Sequence, residues 1–158
     1  MFNKLIETDS KDYISLIVRV VLGLVMLPHG AQKLFGWFGG YGYTGTMGYF
    51  TDTVGIPYII GFLVILGETL GALLLIFGLT GRISGLSIIA NMLGAAIMVH
   101  LPNGFFMNWF GNLKGEGYEY QILAITLALI IVIKGSGMFS LDAFLQTKNP
   151  YNTQLKAA

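Results

Sequence analysis

Four stretches of about twenty mostly apolar residues, near 13–34, 57–79, 82–101 and 118–138, leave this chain few ways to fold. About 20 such residues are needed for a helix to cross the hydrocarbon core of a bilayer. The second stretch, PYIIGFLVILGETLGALLLIFGL, has Glu68 as its one ionisable group, and the fourth runs from Tyr120 to Ile133 without a charge. None alternates in the manner of a barrel strand, so the sequence predicts an all-α membrane protein, a bundle of four transmembrane helices. The first stretch reads as a span and not as a cleavable leader. It is preceded by Glu7, Asp9 and Asp12, and no small-x-small site follows it.

Composition supports the same solvent. Only 11% of the residues are charged and 54% are apolar, whereas soluble domains carry roughly 25% charged residues. A net charge of +1 argues against a nucleic-acid partner held by a basic field. With no cysteine, thiolate ligands and thiol nucleophiles are out of reach of this chain. We expect one membrane domain over 1–145 and a polar cytoplasmic tail over 146–158.

The loops set the expected orientation. Lys4, Lys11, Arg82, Lys134, Lys148 and Lys156 fall on one side, and Lys33 and Lys114 on the other. The positive-inside rule then puts both termini in the cytoplasm, with the bacterial inner membrane as the location. The two outer loops, 35–56 and 102–117, are rich in Gly and aromatic residues, including Trp37, Phe105, Phe106 and Trp109. Two roles are open to them: an aromatic belt at the headgroup layer, or a lid over the outer mouth of the bundle. Met47, Phe50 and Val54 fall at helical spacing, so a short interfacial helix is expected in the first loop.

Small residues point to close helix packing. Gly67 and Gly71, and Gly81 and Gly85, are small-x-x-x-small pairs. Ser84, Ser87, Asn91 and Ala95 share one stripe of span three, with Asn91 read as polar support between helices and, second, as a ligand contact.

Ionisable residues inside spans pair with one another or line a site. At 1.5 Å per residue, Arg19 lies about 9 Å and Glu68 about 16 Å above the inner ends of their spans, close enough for a buried ion pair. Higher up, His29 and Lys33 share a face of span one, His100 ends span three and Glu119 opens span four. These four are the candidates for ligand binding or proton handling. Proton exchange with a quinone, an anionic headgroup, a metal and haem are the chemistries open to them. Haem is disfavoured because no porphyrin pocket is specified, and a metal because no tight ligand spacing is present. No self-sufficient catalytic motif is visible.

These residues, in this order, resemble a known family. Arg19-x3-Gly23, His29-Gly30-x2-Lys33-Leu34, Glu68-x2-Gly71, Arg82 and His100 followed by Asn103-Gly104-Phe105-Phe106 are similar to the DoxX family of small bacterial membrane proteins. Gly117-x-Glu119-Tyr120 and Gly135-x-Gly137-x2-Ser140-Leu141-Asp142 extend the likeness, which covers about residues 12–145. The resemblance implies a four-helix inner-membrane protein associated with redox systems. Relatives include a subunit of thiosulfate:quinone oxidoreductase and a member of a complex with superoxide dismutase and a sulfurtransferase. Others in the wider superfamily resemble assembly factors or cargo receptors. Two expectations follow. The first is a redox-associated subunit that binds a quinone or similar lipid-soluble carrier at the outer polar cluster. The second is a non-enzymatic scaffold, chaperone or assembly factor. A membrane or periplasmic protein partner and a homo-oligomer both stay open.

Overall fold

The computed structural model describes residues 2–147, and all its regular elements among them are helical. A single turn, α1 (Phe2–Leu5), precedes α2 (Tyr13–Phe35); α3 (Gly42–Gly48) sits in the first loop. A tight turn joins α4 (Tyr58–Phe77) to α5 (Gly81–Ala95), and α6 (Glu119–Lys134) and α7 (Leu141–Thr147) follow. The helical path of α5 runs on through a π segment, Ala96–His100, and a 3-10 turn to Asn103. Three helical stretches, Tyr13–Phe35, Tyr58–Phe77 and Gly81–Asn103, are long and apolar enough to cross a membrane. Of the expected tail, Gln146 and Thr147 end α7, and Lys148 and Lys156 lie outside the described residues.

α6 has 16 residues, a rise of about 24 Å, and stops short of the expected end near 138. Gly135 turns the chain with φ +88°, a conformation that favours glycine. Residues 135–140 then run beneath the neighbouring helices instead of prolonging α6.

α2, α4, α5 and α6 pack in a closed order, each against two neighbours. Leu22, Met26, Leu75, Ile88 and Ile131 fill the centre with Ala72, Ala124 and Ala128 between them. Small residues set the approach, as they must where lipid supplies no hydrophobic drive. A Cβ placed on Gly30 would stand 2.8 Å from the backbone of Glu68, and one on Gly23 2.9 Å from the carbonyl of Ala72. The α2–α4 contact therefore runs through Gly23 and Gly30, seven residues apart on one face of α2. Gly81 and Gly85 serve α5 against α6 and its following loop, where a Cβ on Gly85 would meet the Ala128 carbonyl at 3.0 Å. Gly67 and Gly71 do not act as a pair. Gly67 faces Ser87 and Asn91 of α5, whereas a Cβ on Gly71 would meet nothing within 4 Å.

One end of the helices is stapled by charged side chains placed to match helix dipoles. Asp12 caps α2, accepting from the N–H groups of Ile14 and Ser15 at 3.0 and 3.2 Å. It also pairs with Lys134 at 2.5 Å, and that ion pair holds its carboxyl down to about 2. Asp142, 1% exposed, accepts from the N–H groups of Thr80 and Gly81 at the start of α5 and from Ser136 Oγ. Arg82 donates to the Val132 and Ile133 carbonyls at the end of α6 and to Glu7. The start of α2, the end of α6 and the segment up to α7 therefore meet at a single end.

The glycine contacts carry an expected outcome. Gly30→Ala forces backbone against backbone and lowers stability by about 1–3 kcal/mol, the usual cost of overpacking. Gly71→Ala, with open space at its Cβ, leaves stability unchanged or raises it. Thermal unfolding in detergent micelles checks both, and equal effects would refute this packing.

Candidate functional site

Arg19 and Glu68 do not meet. Arg19, 1% exposed, donates from Nε to Ser136 O at 2.8 Å, from Nη1 to the carbonyls of Leu75 and Ile76, and from Nη2 to those of Met138 and Phe139. It closes the C-terminal end of α4, whose last carbonyls have no partner inside the helix. Glu68 pairs instead with Lys33, Nζ to Oε2, at 2.5 Å. The expected pair assumed helices with level inner ends. Packing of Gly30 on Glu68 slides α4 outward along α2, which leaves Glu68 about 12 Å of helix rise, eight residues, from the end that Arg19 holds.

Glu68 and Lys33 line a cavity of about 680 Å³ between the halves of α2, α4, α5 and α6 that lie away from the stapled end. Its walls are mainly apolar: Ile60, Leu63 and Val64 from α4, with Met92, Ala95 and Met98 from the α5 path. Its polar groups converge from four helical stretches and a loop: His29 and Lys33, Glu68, Asn91 and His100, Tyr120 and Gln121, and Glu116. Of the four residues expected to share one site, His29, Lys33 and His100 line it. Glu119 does not. Its carboxylate accepts from the Met107 N–H at 3.0 Å and so pins the second loop. That loop is further tied by Gly117 N–H to Phe106 O and Tyr118 N–H to Gly104 O.

Each polar group is held differently. His100 Nδ1 lies 2.8 Å from the Glu116 carbonyl; a carbonyl can only accept, so Nδ1 carries the proton and a neutral ring keeps a lone pair on Nε2. His29 touches the Tyr120 ring, centroids 6.0 Å apart, and its ring nitrogens have no hydrogen-bond partner among the described residues. Asn91 donates to Val64 O at 3.0 Å, which ties α5 to α4, and also lines the cavity. Gln121 is 5% exposed and its Oε1 is buried with no partner among the described residues. A buried amide oxygen left in that state costs about 1–3 kcal/mol.

The cover of the cavity is not made by the largest loop aromatics. Trp37, Phe105, Phe106 and Trp109 are 44–79% exposed and none lines it. Tyr49, Phe50, Val54 and Ile56 from the first loop and Met107 from the second do. Tyr49–Val54 is a π-helical segment, and so is Ala96–His100, which contributes Met98, Val99 and His100. π-helix accounts for well under 1% of residues in soluble globular proteins and recurs at functional sites. Two such segments facing one cavity mark it as the place where the fold departs from regular geometry.

Sequence reasoning missed Gln121, Tyr120 and Glu116. A signal existed for Gln121, a lone amide inside the otherwise apolar run after Glu119, which a count of charges alone passes over.

Comparison with known proteins places the chain in a family. The DoxX profile matches residues 14–101. This chain belongs to the DoxX family. It is 28% identical over 131 residues to "Putative oxidoreductase CatD" of Bacillus subtilis (strain 168), covering 83% of this chain and 86% of that one. It is 30% identical over 102 residues to an "Uncharacterized protein" of Haemophilus influenzae, covering 64% of each chain. No solved structure matches it significantly. The matched segment ends just past His100, so it holds Arg19, His29, Lys33, Glu68 and Asn91 and leaves Gln121 outside.

The ion pairing yields a sharp expectation. In a double-mutant cycle, Lys33→Met with Glu68→Leu couples by about 0.5–3 kcal/mol, whereas Arg19→Met with Glu68→Leu adds to within about 0.5 kcal/mol. Unfolding midpoints in detergent for the two cycles measure it, and coupling confined to Arg19 would reverse the assignment.

Proposed function

We propose that this DoxX-family protein crosses the bacterial inner membrane four times and binds a quinone or similar lipid-soluble carrier in the outer-half cavity, as a subunit associated with a redox system. α6 supplies the fourth crossing in this reading. It is short, but it is uncharged between Glu119 and Lys134, and it returns the chain to the stapled end. The excess of Lys and Arg at that end puts both termini in the cytoplasm and the aromatic loops outside. One membrane domain over 1–145 accounts for the whole arrangement.

The observation that carries the binding proposal is the cavity itself: apolar walls and several convergent polar side chains. Apolar pockets with a few placed polar groups are the usual form of a small-molecule site, and about 680 Å³ is within their common range. In this reading His100 Nε2 accepts from a ring hydroxyl, Lys33 donates to a ring oxygen, and Glu68 and His29, which line the same cavity, exchange its protons. The name of the Bacillus relative supports the redox setting.

Two measurements test this. Single cysteines at Phe38 and Trp109 should react with an impermeant reagent from outside, and those at Lys11 and Phe139 only after the membrane is opened. Outside labelling at Phe139 would remove the fourth crossing. For binding, His100→Ala and Lys33→Met should each weaken a quinone analogue by about tenfold or more, the effect of about 1.4 kcal/mol. Unchanged affinity in both variants would sink the carrier reading.

A further inference from the structure

The cavity has a side as well as a top. At mid-depth α4 and α5 touch: Gly67 lies against Asn91, and Asn91 donates to the Val64 carbonyl. Above that contact no small residue draws them together. Ile60 and Leu63 of α4 and Met98 of the α5 path line the cavity and are 45%, 49% and 48% exposed. Ala90, also exposed, and Gly94 continue the same stripe of α5 at spacings of four. A Cβ placed on Gly94 would meet nothing within 4 Å. These residues belong to helices long and apolar enough to cross a membrane, so the gap between them faces acyl chains and not water.

We infer that the gap between the outer halves of α4 and α5 is a lateral portal through which the occupant enters from the bilayer and in which its apolar tail stays. This rests on the carrier reading of the cavity and extends it to the class of molecule taken: a hydroxyl-bearing ring head on one long apolar tail. The head is fixed by the polar side chains of the wall: His100 Nε2 offers an acceptor to a ring hydroxyl, and Lys33 Nζ a donor to a ring oxygen. The tail is fixed by the portal, whose rim of Ile60, Leu63, Ala90, Gly94 and Met98 carries no polar side chain.

The experiment compares two probes that share a naphthoquinol ring, one tailless and one with a prenyl tail. Each is incubated with the full-length protein in phosphatidylcholine nanodiscs, and probe retained above empty discs is counted. Gly94→Phe projects into the open rim; Leu86→Phe, two turns below Gly94 on the same stripe, 54% exposed and not among the residues lining the cavity, is the control. The parent should retain both probes. Gly94→Phe should lose at least tenfold in affinity for the tailed probe and stay within twofold for the tailless one, and Leu86→Phe should change neither. Where Gly94→Phe does not elute as a folded particle, Ala90→Leu, one turn away on the rim, carries the same comparison. Full retention of the tailed probe by the rim variant overturns the portal while the carrier reading stands. Equal loss of both probes also overturns it, since the rim would then be part of the head site. A parent that retains neither probe overturns the carrier reading and the portal with it.

Discussion

A guanidinium buried among five carbonyls is the interaction on which the rest depends. In lipid the last carbonyls of a helix cannot turn to water, and each one left bare costs several kcal/mol. Arg19 answers this for α4 and at the same time gathers the loop after α6, through Ser136, Met138 and Phe139. Lys could not do so, because its compact ammonium lacks the planar fork of five donors. Arg19 thus fixes where α4 ends against the neighbouring loop, while the Gly30 contact with the Glu68 backbone sets the height of the Lys33–Glu68 pair.

The two ends of the molecule are accordingly different in kind. At the stapled end, acidic side chains meet helix N-termini and basic ones meet C-termini, and Asp12, Arg82 and Asp142 leave little freedom. At the other end the same four helices stand around a void, covered by loop residues and edged by two π-helical segments. Local stability in proteins is uneven in this way, with ligand-handling regions drawn from the less constrained part.

Much of this was legible in the sequence, and the failures are instructive. Run lengths located α2, α4 and the α5 path to within a few residues, because hydrocarbon thickness sets helix length. Three of the four residues expected at the outer site do line it. The Arg19–Glu68 pair failed because depth was reckoned from the ends of each span, and ends need not be level. Only the close contact of Gly30 with the Glu68 backbone reveals the offset, and that is a property of two helices together. Glu119 has the right depth but is drawn off by an N–H of the loop just before it. The early stop of α6 follows from Gly135, whose positive-φ turn no hydropathy count records.

The wide turn at Ala96–His100 has a consequence for how such chains can vary. A π segment holds one residue more than the α-helical turn it replaces, so everything beyond it is rotated by about 100° relative to a regular continuation. His100 ends that segment, and its place on the cavity wall depends on the wide turn that absorbs the surplus residue. Loss of a single residue between 96 and 99 would let the segment close as an ordinary α-helical turn and leave the imidazole beside its Glu116 anchor, whereas closing the turn with every residue kept would swing it round the helix. The width of this turn is thus as much a part of the site as the identity of the histidine.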